Sequence, residues 1–280
     1  MNPRLTRFTH DYHWLSFDDQ LNPDHLDSQS PLLYQDAFIR WLPLLNEQAS
    51  DTRSYGLIHW YPIDQPTILL GAKDKRLPDL QAGLDFLHQA GYQTFIRPHG
   101  GLAVVCDPGV MNVSMVWDQN QAKLSIDEAY QVMVDWVGTA LAKHQLKVEA
   151  YEIPDSYCPG KFDLVVGGQK IGGIAQRRFR DGVTTAAYLS VRGDQDQRSQ
   201  LIHDFYQVAQ AGPDYPRIRP QVMTSIDQLL AFDYSLDQFQ ADMLAVFPNE
   251  QIHHPMSFVN PELSEIYQQV QAQHQKRQGL

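Results

Sequence analysis

The stretch "SYCPGKFDLVVGGQKIGG" (residues 156–173) sets a cysteine, two lysines (Lys161 and Lys170) and two glycine pairs close together. Cys158 is one of two cysteines in the chain, and Lys170 follows it past Gly167-Gly168. Only a thiolate is nucleophilic, and a neighbouring ammonium raises the thiolate fraction. Cys158 precedes Pro159-Gly160, a turn signal, so it belongs to a loop entering a strand and not to a strand centre. "FDLVV", the glycine pair and "QKIGGIAQRRF" read as a β-hairpin. A hairpin folds back and could return the lysine amine to the cysteine. Cysteine is also often a small buried hydrophobe, so a structural thiol remains the competing reading. Cys106, at the strand end in "AVVCDPG", reads as core.

The other chemically suggestive residues gather around glycine. "RPHGGLAVV" puts Gly100 and Gly101 at a junction between strands, and "QKIGGIAQ" puts Gly172 and Gly173 inside one. Glycine inside a strand costs roughly 0.5–1 kcal/mol against alanine. It is tolerated at a bulge, or where a ligand or another backbone comes close. Each pair lies beside a cation, Arg97 or Lys170, which points to a ligand slot walled by backbone. His99 is the only histidine near that slot. The others, His253 and His254 included, lack metal-ligand spacing, so no metal is expected. "QRRFR" supplies Arg177, Arg178 and Arg180, the densest basic spot, with Arg178 and Arg180 on one face by alternation. It is either a solvated strand edge or a docking strip for an acidic partner.

These residues need elements to hold them. "LLYQDAFIRWLPLL" has helical spacing, and "LPDLQAGLDFLHQAGY" is an amphipathic helix stopped at Gly91. "SIDEAYQVMVDWVGTALAKHQ" opens with a capping box, Ser125 and Glu128. "GLIHWYPI" and "PTILLG" are β-rich runs expected to form a hairpin. After the "DPG" turn, Met111, Val113, Met115 and Trp117 should pack on helices. Asn112 and Ser114 face the other way, to solvent or a cleft. "VTTAAYLSV" is a third strand after "FDLVV" and "QKIGGIAQRRF", and the last third of the chain is helical. Hairpins with segregated helices give an α+β fold with a mostly antiparallel sheet flanked by helices. One domain is expected over residues 1–280: an irregular surface arm at 1–30, a core at about 35–230 and a C-terminal helical segment at about 231–280.

Bulk properties exclude several classes. A net charge of −11 argues against nucleic-acid binding. No apolar run approaches ~20 residues, so no membrane partner is expected. The N-terminus lacks the apolar run of a secretory signal, and two cysteines make no disulfide framework, so a cytoplasmic protein is expected. Dinucleotide, phosphate-loop, zinc-protease and nucleophile-elbow motifs are absent.

Taken together, the residues resemble the lipoate–protein ligase and octanoyltransferase superfamily. The likeness is strongest to the branch that moves octanoyl groups between proteins. It runs from about residue 35 to 230. "PTILLG" resembles the family's strand-Gly segment, and "RPHGGLAVVCDPGVMNVSM" its R-x-[ST]-G-G segment. "DSYCPGKFDLVVGGQKIGGIAQRR" resembles its catalytic hairpin, with the cysteine and the K-x-x-G lysine in register. Position 99 is His where the family usually has Ser or Thr, and position 102 is Leu where the ligases carry a third glycine. The glycine- and arginine-rich loop of biotin ligases and the accessory domain of long lipoate ligases have no counterpart. The departures other than His99 point away from ATP-dependent activation.

The resemblance implies a fold like the catalytic core of biotin and lipoate ligases. It implies Cys158 as acyl carrier and Lys170 as the residue that lowers its pKa and sits near the carbonyl oxygen. Arg97, His99, Gly100, Gly101, Gly172 and Gly173 would bind substrate. The donor would be an octanoylated protein like the glycine cleavage H protein, the acceptors lipoyl domains of 2-oxoacid dehydrogenase complexes, and no cofactor would be needed. An ATP-dependent lipoate–protein ligase, a transferase using octanoyl-acyl carrier protein, and a non-catalytic acyl- or partner-binding module are the alternatives.

Overall fold

The computed structural model describes residues 3–21, 29–49, 53–121, 123–230, 232–253 and 260–278. The expected arm at 1–30 is instead structured over much of its length. α1 (Pro3–Asp11) leads into β1 (Tyr12–Asp18), whose Trp14 is buried within the sheet's core. Residues 1–2 and 22–28 lie outside the described ones. α2 (Ser30–Gln48) begins at Ser30-Pro31, where a fixed φ suits the first helical turn. β2 (Ser54–Trp60), β3 (Thr67–Leu70), α3 (Leu80–Gln89), β4 (Gln93–Ile96), β5 (Val104–Cys106) and β6 (Val110–Asp118) follow. Then come α4 (Ile126–Ala142), β7 (Glu149–Ala150), β8 (Leu164–Val166), β9 (Gln169–Phe179) and β10 (Gly182–Ser190). α5 (Gln195–Val208), α6 (Ile226–Leu229), α7 (Leu236–Leu244), β11 (Ile252–His253) and α8 (Pro261–Gln278) complete the chain.

An eight-stranded sheet has the order β11-β1-β2-β6-β10-β9-β8-β7, and a three-stranded sheet the order β4-β3-β5. From β2 to β7 every neighbouring pair in the large sheet is antiparallel, as expected. β1 runs parallel to both β2 and β11. The C-terminal segment is therefore not only helical, since β11 extends the sheet. The expected hairpin between "GLIHWYPI" and "PTILLG" does not form. β2 joins the large sheet, whereas β3 pairs with β4 and β5 in the small one. The turn after Cys106 likewise carries the chain from the small sheet into β6 of the large one.

Burial explains the layering. Met111, Val113, Met115 and Trp117 of β6 join one core cluster with Val132, Met133, Trp136 and Val137 of α4. The capping box forms as read: Ser125 Oγ accepts the Glu128 N–H, and Glu128 accepts the Ser125 N–H at 3.0 Å. α2 and α8 cover the opposite face with Phe38, Ile39, Leu42, Leu263 and Val270. The small sheet packs with α3 and α5 through Leu84, Leu87, Ile202 and Phe205. Asn112 and Ser114 are both buried on the face away from α4, and Asn112 lines a cavity. That settles the open reading of β6 in favour of a cleft at Asn112.

Candidate active site

A cavity of about 280 Å³ opens where the β4–β5 loop meets the 156–163 segment, β9 and β10. Arg97, His99, Gly100, Gly101, Cys158 and Gly173 all line it. Its apolar wall comes from Leu32, Leu69, Val104, Ile174, Ala186 and Ala187, with Tyr61, Tyr130 and Tyr188 among them. Residues far apart in sequence thus meet because β3, β6, β9 and β10 present their edges and faces to one space.

Cys158 is half-buried and has a φ of +47°, a left-handed conformation unusual for a residue with a Cβ. Its Sγ accepts two hydrogen bonds, from Arg97 Nη2 at 3.2 Å and from the Leu102 N–H at 3.2 Å. Both groups are donors, so the sulfur acts as acceptor. Arg97 also holds the Leu102 carbonyl oxygen at 2.8 Å. Burial works against the Arg97 charge, yet Cys158 and Asp74 more than offset it, and its pKa is raised. Cys106 is inert by contrast: burial pushes its thiol up to about 12, as the core reading requires.

The lipoyl protein ligase A/B catalytic domain model matches residues 34–248, more than half of the chain. The chain belongs to this family. It is 44% identical over 172 residues to an octanoyl-[GcvH]:protein N-octanoyltransferase of Lysinibacillus sphaericus, covering 60% of this chain and 62% of that one. A lipoyl-[GcvH]:protein N-lipoyltransferase of Listeria monocytogenes is 40% identical over 179 residues, covering 62% and 64%. The alignment thus spans somewhat less than two thirds of these relatives' length. Among solved structures, a T. acidophilum protein described as a lipoate protein ligase, with bound lipoic acid, superposes with a TM-score of 0.66 at 18% identity, covering 94% of this chain and 95% of that one. Lipoate-protein ligase A bound with ATP gives the same score at 17% identity, covering 93% and 94%. The fold is therefore that of the lipoate ligases.

Within this family fold, Lys170 departs from the expected geometry. The returning hairpin brings it back to Cys158, but to the backbone and not to the sulfur. Gly167 and Gly168 have φ of +57° and +86°, as a tight two-residue hairpin turn demands. Lys170 is fully buried, and its Nζ donates to Cys158 O at 2.8 Å, Tyr157 O at 3.0 Å and Ser156 Oγ at 3.1 Å. It also pairs with Asp163 Oδ1 at 2.9 Å. An ammonium has three protons, and these four acceptors occupy them all. The cation beside the sulfur is Arg97. Burial raises the Asp163 pKa, and Lys170 opposes that rise without cancelling it.

Gly172 does not line the cavity. A Cβ there would lie 2.3 Å from the Tyr188 carbonyl oxygen, so its role is close packing of β9 on β10. At Gly173 a Cβ would meet the Tyr188 ring at 2.9 Å, on the cavity side. His99 is buried, and its Nε2 has no hydrogen-bond partner among the described residues. Burial first, then the charges of Arg97 and Arg177, push its pKa down to about 3, so the ring is neutral. The arginines do not form a strip. Arg177 pairs with Asp36 at 2.8 Å. Arg178 is held by Gln119 and Gln176 and by the Leu124 carbonyl oxygen. Arg180 alone is exposed, at a turn with φ of +51°.

Asp163 and Ser156, the partners of Lys170, were not anticipated from the sequence, and neither was Tyr188. The signal for Asp163 was present: an acid and a lysine flank one tight turn in "FDLVVGGQK", and a buried lysine needs a counter-ion.

Proposed function

We propose that this protein is an N-octanoyltransferase. It moves an octanoyl group from the lysine of a donor protein of the GcvH type to the lysine of lipoyl domains, through a thioester on Cys158. The observation carrying this reading is the Cys158 sulfur, met by Arg97 and the Leu102 N–H and lining a cavity that has one apolar wall. The names of the relatives, octanoyl- and lipoyl-[GcvH] transferases, support the donor and the reaction class.

The Cys158 thiolate attacks the amide carbonyl carbon of the acyl-lysine. Negative charge develops on the carbonyl oxygen, where Arg97 and backbone N–H groups of the glycine loop can stabilise it. The C–N bond then breaks, the donor lysine leaves as an amine after taking a proton from water, and a thioester remains. The neutral amine of the acceptor lysine attacks that thioester, its nitrogen gives a proton to water, the C–S bond breaks, and the thiolate is restored. Splitting one amide exchange into two steps predicts ping-pong kinetics. In this scheme Lys170 acts through the backbone: it grips the carbonyls of Tyr157 and Cys158 and holds the left-handed turn that aims the sulfur. Left-handed backbone at such a residue costs roughly 1–2 kcal/mol and needs a partner to maintain it. Two free cysteines fit a reducing compartment, so we assign the cytoplasm.

The test is to mix the protein with octanoylated GcvH-type donor and an unmodified lipoyl domain, without ATP, and follow both masses. Loss of the octanoyl group from the donor with gain on the lipoyl domain is expected. Modification that requires free lipoate and ATP, with release of pyrophosphate, would assign a ligase instead.

A further inference from the structure

Asp74 is a fully buried carboxylate that this reaction scheme does not use. It lies just beyond β3, at the start of a short 3-10 turn. Its Oδ2 accepts the Gly71 N–H at 2.7 Å, and its Oδ1 accepts the Tyr206 hydroxyl at 2.9 Å. The Tyr206 hydroxyl, on α5, in turn accepts the Ala103 N–H at 3.2 Å. Ala103 follows Leu102, whose N–H donates to the Cys158 sulfur. The two loops also touch: a Cβ on Gly71 would lie 1.9 Å from the Gly101 carbonyl oxygen. A hydroxyl has one proton. Because Tyr206 gives it to Asp74, its lone pairs are left facing the Ala103 N–H.

We propose that Asp74, acting through Tyr206, is a positioning residue that fixes the 97–103 loop so that Arg97 and the Leu102 N–H converge on the Cys158 sulfur. The proposal rests on the reading of Cys158 as acyl carrier. A buried carboxylate is tolerated only with compensating hydrogen bonds, and Asp74 places both of its own on this relay. Burial lifts its pKa to about 6, while the Gly71 N–H, Tyr206, Arg97 and Lys73 favour the charged form. Burial and then the Asp74 charge raise the pKa of Tyr215, a further titratable group near it. Once protonated, Asp74 has one fewer acceptor, and the Tyr206 hydroxyl is free to turn away from it.

The experiment uses the full chain with octanoylated donor and lipoyl domain, and in parallel measures the rate at which iodoacetamide alkylates Cys158, read by intact mass. Tyr206→Phe, Asp74→Asn and the double variant are compared with wild type. Losing one net hydrogen bond of roughly 0.5–1.5 kcal/mol corresponds to about a 2- to 13-fold drop in kcat. The KM for donor should stay within about twofold and alkylation should slow. The double variant should be no slower than the slower single one, because both act on one relay. Wild-type kcat should fall below about pH 6, and this step should be missing in Asp74→Asn. Wild-type kcat and alkylation in both single variants would overturn the proposal. So would fully additive losses, or a wild-type profile without a step near pH 6, and this last readout needs no variant to fold. Absence of an acylated Cys158 in wild type would instead refute the acyl-carrier reading, and the alkylation rates would still decide the role of Asp74.

Discussion

The Lys170 ammonium lies 2.8 Å from the backbone carbonyl oxygen of Cys158 and 2.9 Å from Asp163, with the cysteine sulfur left to Arg97 and Leu102. The cation that shapes the turn and the cation that meets the thiol are thus two different residues. Each can be removed separately.

Replacing Lys170 by Met strands the buried Asp163 carboxylate and frees the turn at Cys158. Breaking a buried pair from one side costs roughly 3–5 kcal/mol. Lys170→Met should therefore lose both transfer and stability in chemical denaturation. Lys170→Met with Asp163→Leu should recover much of the stability and none of the transfer. If Lys170→Met transfers normally at a temperature where it is folded, the holding role is wrong.

Arg97→Met removes the charged donor from the sulfur. A hydrogen bond to a charged group contributes roughly 1.5–3 kcal/mol, so kcat/KM should fall by about 10- to 150-fold. Alkylation of Cys158 should slow in parallel. An unchanged alkylation rate would remove Arg97 from the account of the nucleophile.

The two glycines of β9 should separate cleanly. Gly172→Ala drives a Cβ into the Tyr188 carbonyl oxygen and should destabilise the fold by roughly 1–3 kcal/mol. Gly173→Ala faces the cavity and the edge of a ring, so its main effect should be a raised KM for the acylated donor. Thermal melts and steady-state kinetics on both variants test this, and a reversal of the two phenotypes would contradict it.

Much of this site was legible in the sequence, and the limits have physical causes. The hairpin that returns Lys170 was readable because the Gly167-Gly168 turn and the flanking strands are local signals. Where its ammonium would end was not, because the acceptors are backbone carbonyls of a left-handed turn, and carbonyls carry no sequence signature. Arg97 reaches Cys158 across two separate loops, a contact that periodicity cannot reveal. β1 was missed because its polar residues, His13, Ser16 and Asp18, hide a strand made by parallel pairing with β2. The split of β2 and β3 between sheets was missed for the opposite reason: two adjacent β-rich runs look like a hairpin whichever sheet each one joins.

His99 should make the protein acid-sensitive. Its folded pKa is depressed to about 3, below the ordinary value near 6.5, so the unfolded chain binds the extra proton between those values. This contribution is whole above about pH 6.5 and is lost as pH falls toward 3, with a slope of up to about 1.4 kcal/mol per pH unit. His99→Ser should flatten that part of the stability profile. An identical profile in wild type and variant would show that His99 takes up no proton on unfolding.

The docking idea narrows to Arg180, since Arg178 is committed within the chain. Arg180→Glu should slow transfer to a lipoyl domain and leave acylation of the enzyme by a small octanoyl thioester unchanged. Equal transfer rates would end it.

Whether Cys158 carries the acyl group decides the reaction, and intact-mass analysis after mixing with octanoylated donor reads it out. The wild-type chain should gain one octanoyl group, and Cys158→Ser should gain none and lose transfer. No adduct on the folded wild-type protein, with undiminished transfer by Cys158→Ser, would mean that Cys158 is not the acyl carrier.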